Sequence, residues 1–203
     1  MKENFFKGNY GVFTHYLTVA ATTSEAWNAR TAQYDAKGLA KQLHEAGAKW
    51  LFFTLGQASG HFAAPNSTYD RIAGVHPSRC SKRDLVEALY EALAPYGIKL
   101  CLYMPSEAPN CPNFGWRWGK NKETDELTGD RLADFQLRWE SVIEEWSLRW
   151  GRKIAAWWVD SCYFADQMYR FVDRPNFHSF AAALRAGNPD ALLAFNNGKL
   201  PPE

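Results

Sequence analysis

The feature that most constrains this chain is its alternation of apolar strand-like runs with amphipathic helical patterns. Five short runs are rich in β-branched and aromatic residues: Tyr10–Tyr16, Lys49–Leu55, Ile98–Met104, Ile154–Asp160 and Ala191–Asn196. Most lack two-residue alternation, as strands covered on both faces do. Helical stretches separate them. Asp35 can cap a helix through Leu39 and Leu43, stopped by Gly47. Ser81 with Asp84 has capping-box spacing, before Leu85, Leu89, Leu93 and a stop at Gly97. Leu132, Phe135, Trp139, Val142, Ile143 and Trp146 make one apolar stripe, and Phe177, Phe180 and Leu184 another. Ser24 to Arg30 reads as a further strand or a helical turn. This β-α-β-α order predicts an α/β fold with a mostly parallel sheet.

Two architectures fit, an open doubly wound sheet and a (β/α)8 barrel. No G-x-G-x-x-G or P-loop follows any strand, so the nucleotide-binding form lacks its signature. A barrel typically takes about 250 residues, and this chain has 203. The expectation is a partial (β/α)8 TIM-type barrel, its first five to six units, in one domain over 1–203 that is incomplete at its C-terminal end. Such a sheet keeps two open edges, so a polypeptide of 1–203 is expected to self-associate or aggregate. The longest loop, 105–131, follows a strand and belongs at the site mouth.

Composition closes off several function classes. Twenty-three Lys and Arg against 22 Asp and Glu leave a formal charge of +1, which makes no case for a nucleic-acid partner. No apolar run is long enough to span a membrane. The segment after Met1 lacks the apolar core of a signal peptide. The cysteines, Cys80, Cys101, Cys111 and Cys162, form no zinc spacing. Cys101 and Cys162 read as buried, whereas Cys80 and Cys111 lie in loop-like sequence and could pair. No metal or other cofactor is signalled. The nine Trp residues fit either a Trp-rich core or aromatic walls around a ligand.

In a parallel α/β sheet the working edge is where the strands end. His15 closes the first run, Gln57, Ser59 and His61 follow the second, and Tyr103 and Glu107 lie at the end of the third. Asp160, Ser161 and Cys162 close the fourth, and Asn196 and Asn197 the fifth. Asp160 ends Ala155-Ala156-Trp157-Trp158-Val159, a costly place for a carboxylate unless it is paired or functional. Ser161 lacks the G-x-S-x-G elbow of a serine hydrolase. Neutral donors, aromatic faces and a carboxylate at one strand edge suit a carbohydrate.

At these residues the chain resembles the α-L-fucosidases of glycoside hydrolase family 29, retaining enzymes on a (β/α)8-type barrel. Gly11-Val12-Phe13-Thr14-His15-Tyr16 is similar to that family's G-[IV]-F-x-H-[WY], and Glu25-Ala26-Trp27 to its E-W segment. Tyr34-Asp35 through Gly47-Ala48-Lys49-Trp50 resembles F-D-x…E-A-G-A-K-Y. Lys82-Arg83-Asp84-Leu85-Val86 matches K-R-D-L-V. Gly97-Ile98-Lys99-Leu100-Cys101-Leu102-Tyr103 resembles G-L-K-F-G-L-Y, Trp157-Trp158-Val159-Asp160 the W-[FL]-D segment, and Ala194-Phe195-Asn196-Asn197 the N-[ND]-R strand end.

The resemblance implies that Asp160 is the nucleophile, that His15 and Tyr103 contact or line the sugar site, and that Trp27, Gln57, His61, Trp158 and Asn196 are the remaining sugar-binding candidates. It implies hydrolysis of a terminal α-L-fucosyl or related sugar, and an exported parent protein. Three departures stand out. Gly56-Gln57-Ala58-Ser59-Gly60-His61-Phe62 replaces the family's K-H-H-D-G-F, and Gly198 replaces an arginine. The family's acid/base glutamate follows the N-[ND]-R strand, beyond roughly this chain's end. Glu107 is the internal substitute. A non-catalytic carbohydrate-binding domain on a degenerate barrel is the alternative, and an unrelated α/β enzyme using Asp160 as a base is a third.

Overall fold

The computed structural model describes residues 7–18, 22–57, 59–109, 111–115, 131–162 and 165–196. Asn197, Gly198 and Ala58, with 116–130 of the long loop, lie outside them. The elements run β1 (Val12–Thr14), α1 (Ser24–Ala32), α2 (Ala36–Glu45), β2 (Trp50–Thr54), α3 (Ser67–Ala73), α4 (Leu85–Leu93), β3 (Lys99–Pro105), α5 (Ala133–Trp150), β4 (Ile154–Asp160), α6 (Ala165–Met168), α7 (Phe177–Arg185) and β5 (Leu192–Phe195).

All five strands pair in parallel, in the order β1-β2-β3-β4-β5. That sequential order decides between the two architectures. A doubly wound sheet reverses its winding at a switch point, and no reversal occurs among the described strands. Each crossover therefore adds the next strand on the same side, as in a barrel wall.

The register sorts the strand residues into two faces. Phe13, Phe52, Cys101, Ala156 and Leu192 share one row, and Thr54, Tyr103, Trp158 and Ala194 the next. The first row forms a small apolar cluster of its own. The opposite face carries Leu51, Phe53, Leu100, Leu102, Trp157 and Val159 into the main core beneath the helices. Of the Trp residues, Trp27, Trp139, Trp146, Trp150 and Trp157 are fully buried. These five therefore belong to a Trp-rich core, whereas Trp158, at 36% exposure, stands on the inner face.

Local chemistry explains the element starts. The Asp35 and Asp84 carboxylates accept from the Gly38 and Glu87 amides, at 2.8 and 2.9 Å. Asp84 is thus itself the cap of α4, and the expected Ser81–Asp84 box is corrected: the Ser81 hydroxyl donates to the Arg83 carbonyl. The segment from Ser24 is a helix, capped by Thr23. Sequence reading missed α3, although Asn66 caps it and Gly74 ends it in the left-handed region. All four cysteines are free and buried, so Cys80 and Cys111 are not paired. Among the described residues no helix is long and apolar enough to cross a membrane.

Candidate active site

Asp160 is the last residue of β4, and its carboxylate is held from both sides. The Tyr103 hydroxyl donates to Oδ2 at 2.6 Å, and the Asn196 amide donates to Oδ1 at 2.7 Å. Gln57 in turn donates from Nε2 to the Tyr103 hydroxyl at 3.3 Å. The chain of bonds thus crosses from the end of β2 to the end of β5, and every member comes from a different strand end. Register places Tyr103 and Asp160 on the inner face, because each sits an even number of residues from the Cys101 and Ala156 row.

Aromatic rings line the same face. Phe13 lies 4.4 Å from the His15 ring and 5.7 Å from Trp158, centroid to centroid. His15 meets Tyr103 edge-on at 5.1 Å, and Tyr103 meets Trp158 at 6.5 Å. His15 Nδ1 is 3.5 Å from the Thr54 hydroxyl, and its ring is exposed. Burial and the bond to Asp160 push the Tyr103 phenol up, so it stays a hydrogen-bond donor at any working pH.

The structure thus gathers His15, Gln57, Tyr103, Trp158, Asp160 and Asn196. Strand ends scattered away from one site, the mark of an unrelated enzyme, are not what is seen. Trp27 departs from its expected place. It is 1% exposed, and its indole N–H donates to the Phe62 carbonyl at 2.8 Å. It is a core residue, on the buried side of α1 with Ser24 and Thr31. His61 is buried beside it, ring centroids 6.2 Å apart, and its Nδ1 has no partner. Burial, then the charge of Arg79, lowers its pKa, so the ring is neutral.

Glu107 lies two residues beyond Pro105, the β3 partner of Asp160. Its carboxyl approaches the Ser106 hydroxyl at 2.7 Å. Burial pushes it up to about 7 from 4.5, and the Asp160 charge adds to the rise. Ser161, next after Asp160, has φ 58°, the left-handed region that a side chain seldom adopts. Sequence reading gave Ser106 no role, because a serine in a loop carries no pattern of its own. Among the described residues, no group of three His, Cys, Asp or Glu could hold a metal ion.

The chain is similar to known proteins in both sequence and fold. The family described as Alpha-L-fucosidase matches residues 1–192. The chain belongs to the α-L-fucosidase family. No curated protein matches it. An endo-fucoidan hydrolase of glycoside hydrolase family 107 superposes with a TM-score of 0.68 at 16% identity, over 96% of this chain and 33% of its own. A bacterial fucosidase with an iminocyclitol inhibitor gives 0.58 at 19%, over 86% and 38%. A family 29 α-L-fucosidase from Bacteroides thetaiotaomicron gives 0.57 at 17%, again over 86% and 38%. The chain thus spans about a third of the length of these structures. Its five-stranded wall is part of a (β/α)8 TIM-type barrel, with the Asp160 cluster at the C-terminal edge of the strands.

Proposed function

We propose that this protein is a retaining exo-glycosidase that removes a terminal α-L-fucosyl or closely related sugar, with Asp160 as its nucleophile. The observation that carries the reading is the pair of donors on the Asp160 carboxylate, at a strand edge lined by aromatic rings. A retaining glycosidase needs one carboxylate to attack the anomeric carbon and one carboxyl to protonate the leaving oxygen. Tyr103 and Asn196 fix the attacking oxygens, and such orientation supplies much of the rate. Trp158 and Phe13 offer apolar surface to the sugar's C–H face. His15, Gln57 and Asn196 offer polar groups to its hydroxyls.

The chemistry has a parallel in a relative. A covalent intermediate from 2-fluoro-fucosyl fluoride has been trapped on a family 29 α-L-fucosidase from Bacteroides thetaiotaomicron, whose fold overlaps 92% of this chain. In the family the acid/base carboxyl follows the strand that here ends at Phe195. The reading is tested on an aryl α-L-fucoside. Asp160→Asn is expected to lower kcat by roughly 10³-fold or more with the circular dichroism unchanged. Activity that survives the substitution contradicts the reading. Binding of L-fucose with no turnover by the unaltered protein would instead favour a carbohydrate-binding domain.

A further inference from the structure

The segment behind Asp160 is braced by Ser106. Its amide donates to the Asp160 carbonyl at 2.8 Å. Its hydroxyl lies 2.8 Å from the Ser161 carbonyl and 2.7 Å from Glu107 Oε2. Ser106 is fully buried. A hydroxyl has one hydrogen to give, and a carbonyl can only accept. That one hydrogen cannot serve both acceptors at once. With Glu107 protonated, its carboxyl donates to the Ser106 oxygen while the Ser106 hydroxyl donates to the Ser161 carbonyl, so both short contacts are hydrogen bonds; with Glu107 ionised, the Ser106 hydroxyl serves only one of the two.

We propose that Glu107 is a positioning residue that works protonated: it donates to Ser106, which in turn holds the Asp160–Ser161 backbone and so the aim of the Asp160 carboxylate. The inference rests on the reading of Asp160 as nucleophile only for its kinetic consequence. The left-handed Ser161 gives the brace its purpose, since that turn must be held by its surroundings. The groups that face Glu107 agree. Asp160 and Tyr103 lie on the strand side, with Cys162 and Tyr169 beyond β4, both buried. None of them is a cation, and the donors to the Glu107 carboxyl, which are the Ser106 and Ser161 hydroxyls and its own amide, offset only part of the rise that burial causes. Ionisation of Glu107, near pH 7, breaks the brace and sets a second negative charge beside Asp160.

Two measurements test this. The first is carbon-13 NMR of the Glu107 carboxyl, assigned by its loss in Glu107→Gln. The carboxyl is expected to be protonated at about pH 5.5 and to titrate near 7. A Glu107 already ionised at that pH overturns the proposal, whether or not the protein hydrolyses any fucoside. The second is kcat/KM against pH on an aryl α-L-fucoside. Glu107→Gln, whose amide can still donate to Ser106, is expected to stay within about threefold of the parent at low pH and to lose the fall near neutrality. Glu107→Ala is expected to lose about tenfold or more. If Glu107→Gln loses about 10²-fold and is rescued by azide, Glu107 is the acid/base itself and the proposal fails. An alkaline limb unchanged in Glu107→Gln also overturns it. A parent protein without fucosidase activity defeats the function proposed above, and leaves the NMR result to decide the state of Glu107.

Discussion

At the scale of single residues, the two donors on Asp160 make separable predictions. Tyr103→Phe removes the bond to Oδ2 and keeps the ring in its packing with His15 and Trp158. A hydrogen bond to a charged group is worth ~1.5–3 kcal/mol, so kcat/KM is expected to fall about 10- to 100-fold with little change in the melting temperature. A mutant as active as its parent would show that the bond does not bear on catalysis. Glu107 makes a second prediction, in stability. Its folded pKa is raised, so between pH 4.5 and about 7 the native state holds a proton that the unfolded chain has lost. Stability is then greatest below that window and falls as pH rises through it, by up to about 3 kcal/mol. Urea denaturation across the window, in the parent and in Glu107→Gln, isolates this slope, because His61 and Glu140 titrate alike in both. A slope unaltered by the substitution contradicts it. Asp160 was legible in the sequence because a carboxylate ending a run of Trp and Val stands out. Ser106 was not, because its importance arises only when β3 and β4 end side by side.

At the scale of elements, strands and long helices were legible because their periodicity covers many residues. Boundaries and short helices were not. Helix α3 is seven residues long and lacks a clear apolar stripe; it is held from outside, since Glu145 on α5 accepts from the Ser67 and Thr68 amides. The packing of α5 against α7 hinges on a close approach that no pattern reveals. A Cβ on Gly187 would lie 1.8 Å from the Ser147 carbonyl oxygen, a backbone atom that cannot swing aside. Gly187→Ala is therefore expected to destabilise the fold by about 3 kcal/mol or more, read as a lower denaturation midpoint. A midpoint within error of the parent's would show that α7 slides without cost. The capping box at Asn176 and Ser179 is the gentler case. Asn176→Ala is expected to cost ~1–2 kcal/mol by the same measurement.

At the scale of the whole molecule, the helices cover one face of the sheet while the other keeps Trp158 and Ala194 exposed. Among the described residues β1 and β5 each pair on one side only. A polypeptide of residues 1–203 expressed alone is therefore expected to self-associate, as sedimentation would reveal. A monomer that unfolds cooperatively would contradict this. The α/β class with a parallel sheet was legible from the alternation of elements, which left a doubly wound sheet and a barrel both open until the family resemblance favoured the barrel. The winding itself was not legible, since strand order follows from how the helices pack, and sequence periodicity says only that they are amphipathic.

The proposed attack of Asp160 on the sugar would leave a covalent adduct on that residue. The most direct measurement is mass spectrometry of the protein after incubation with 2-fluoro-fucosyl fluoride, followed by peptide mapping. One 2-fluoro-fucosyl group is expected to be added per chain, located on the peptide carrying Asp160 and absent in Asp160→Asn. A label on another residue, or an equal label in Asp160→Asn, would contradict it.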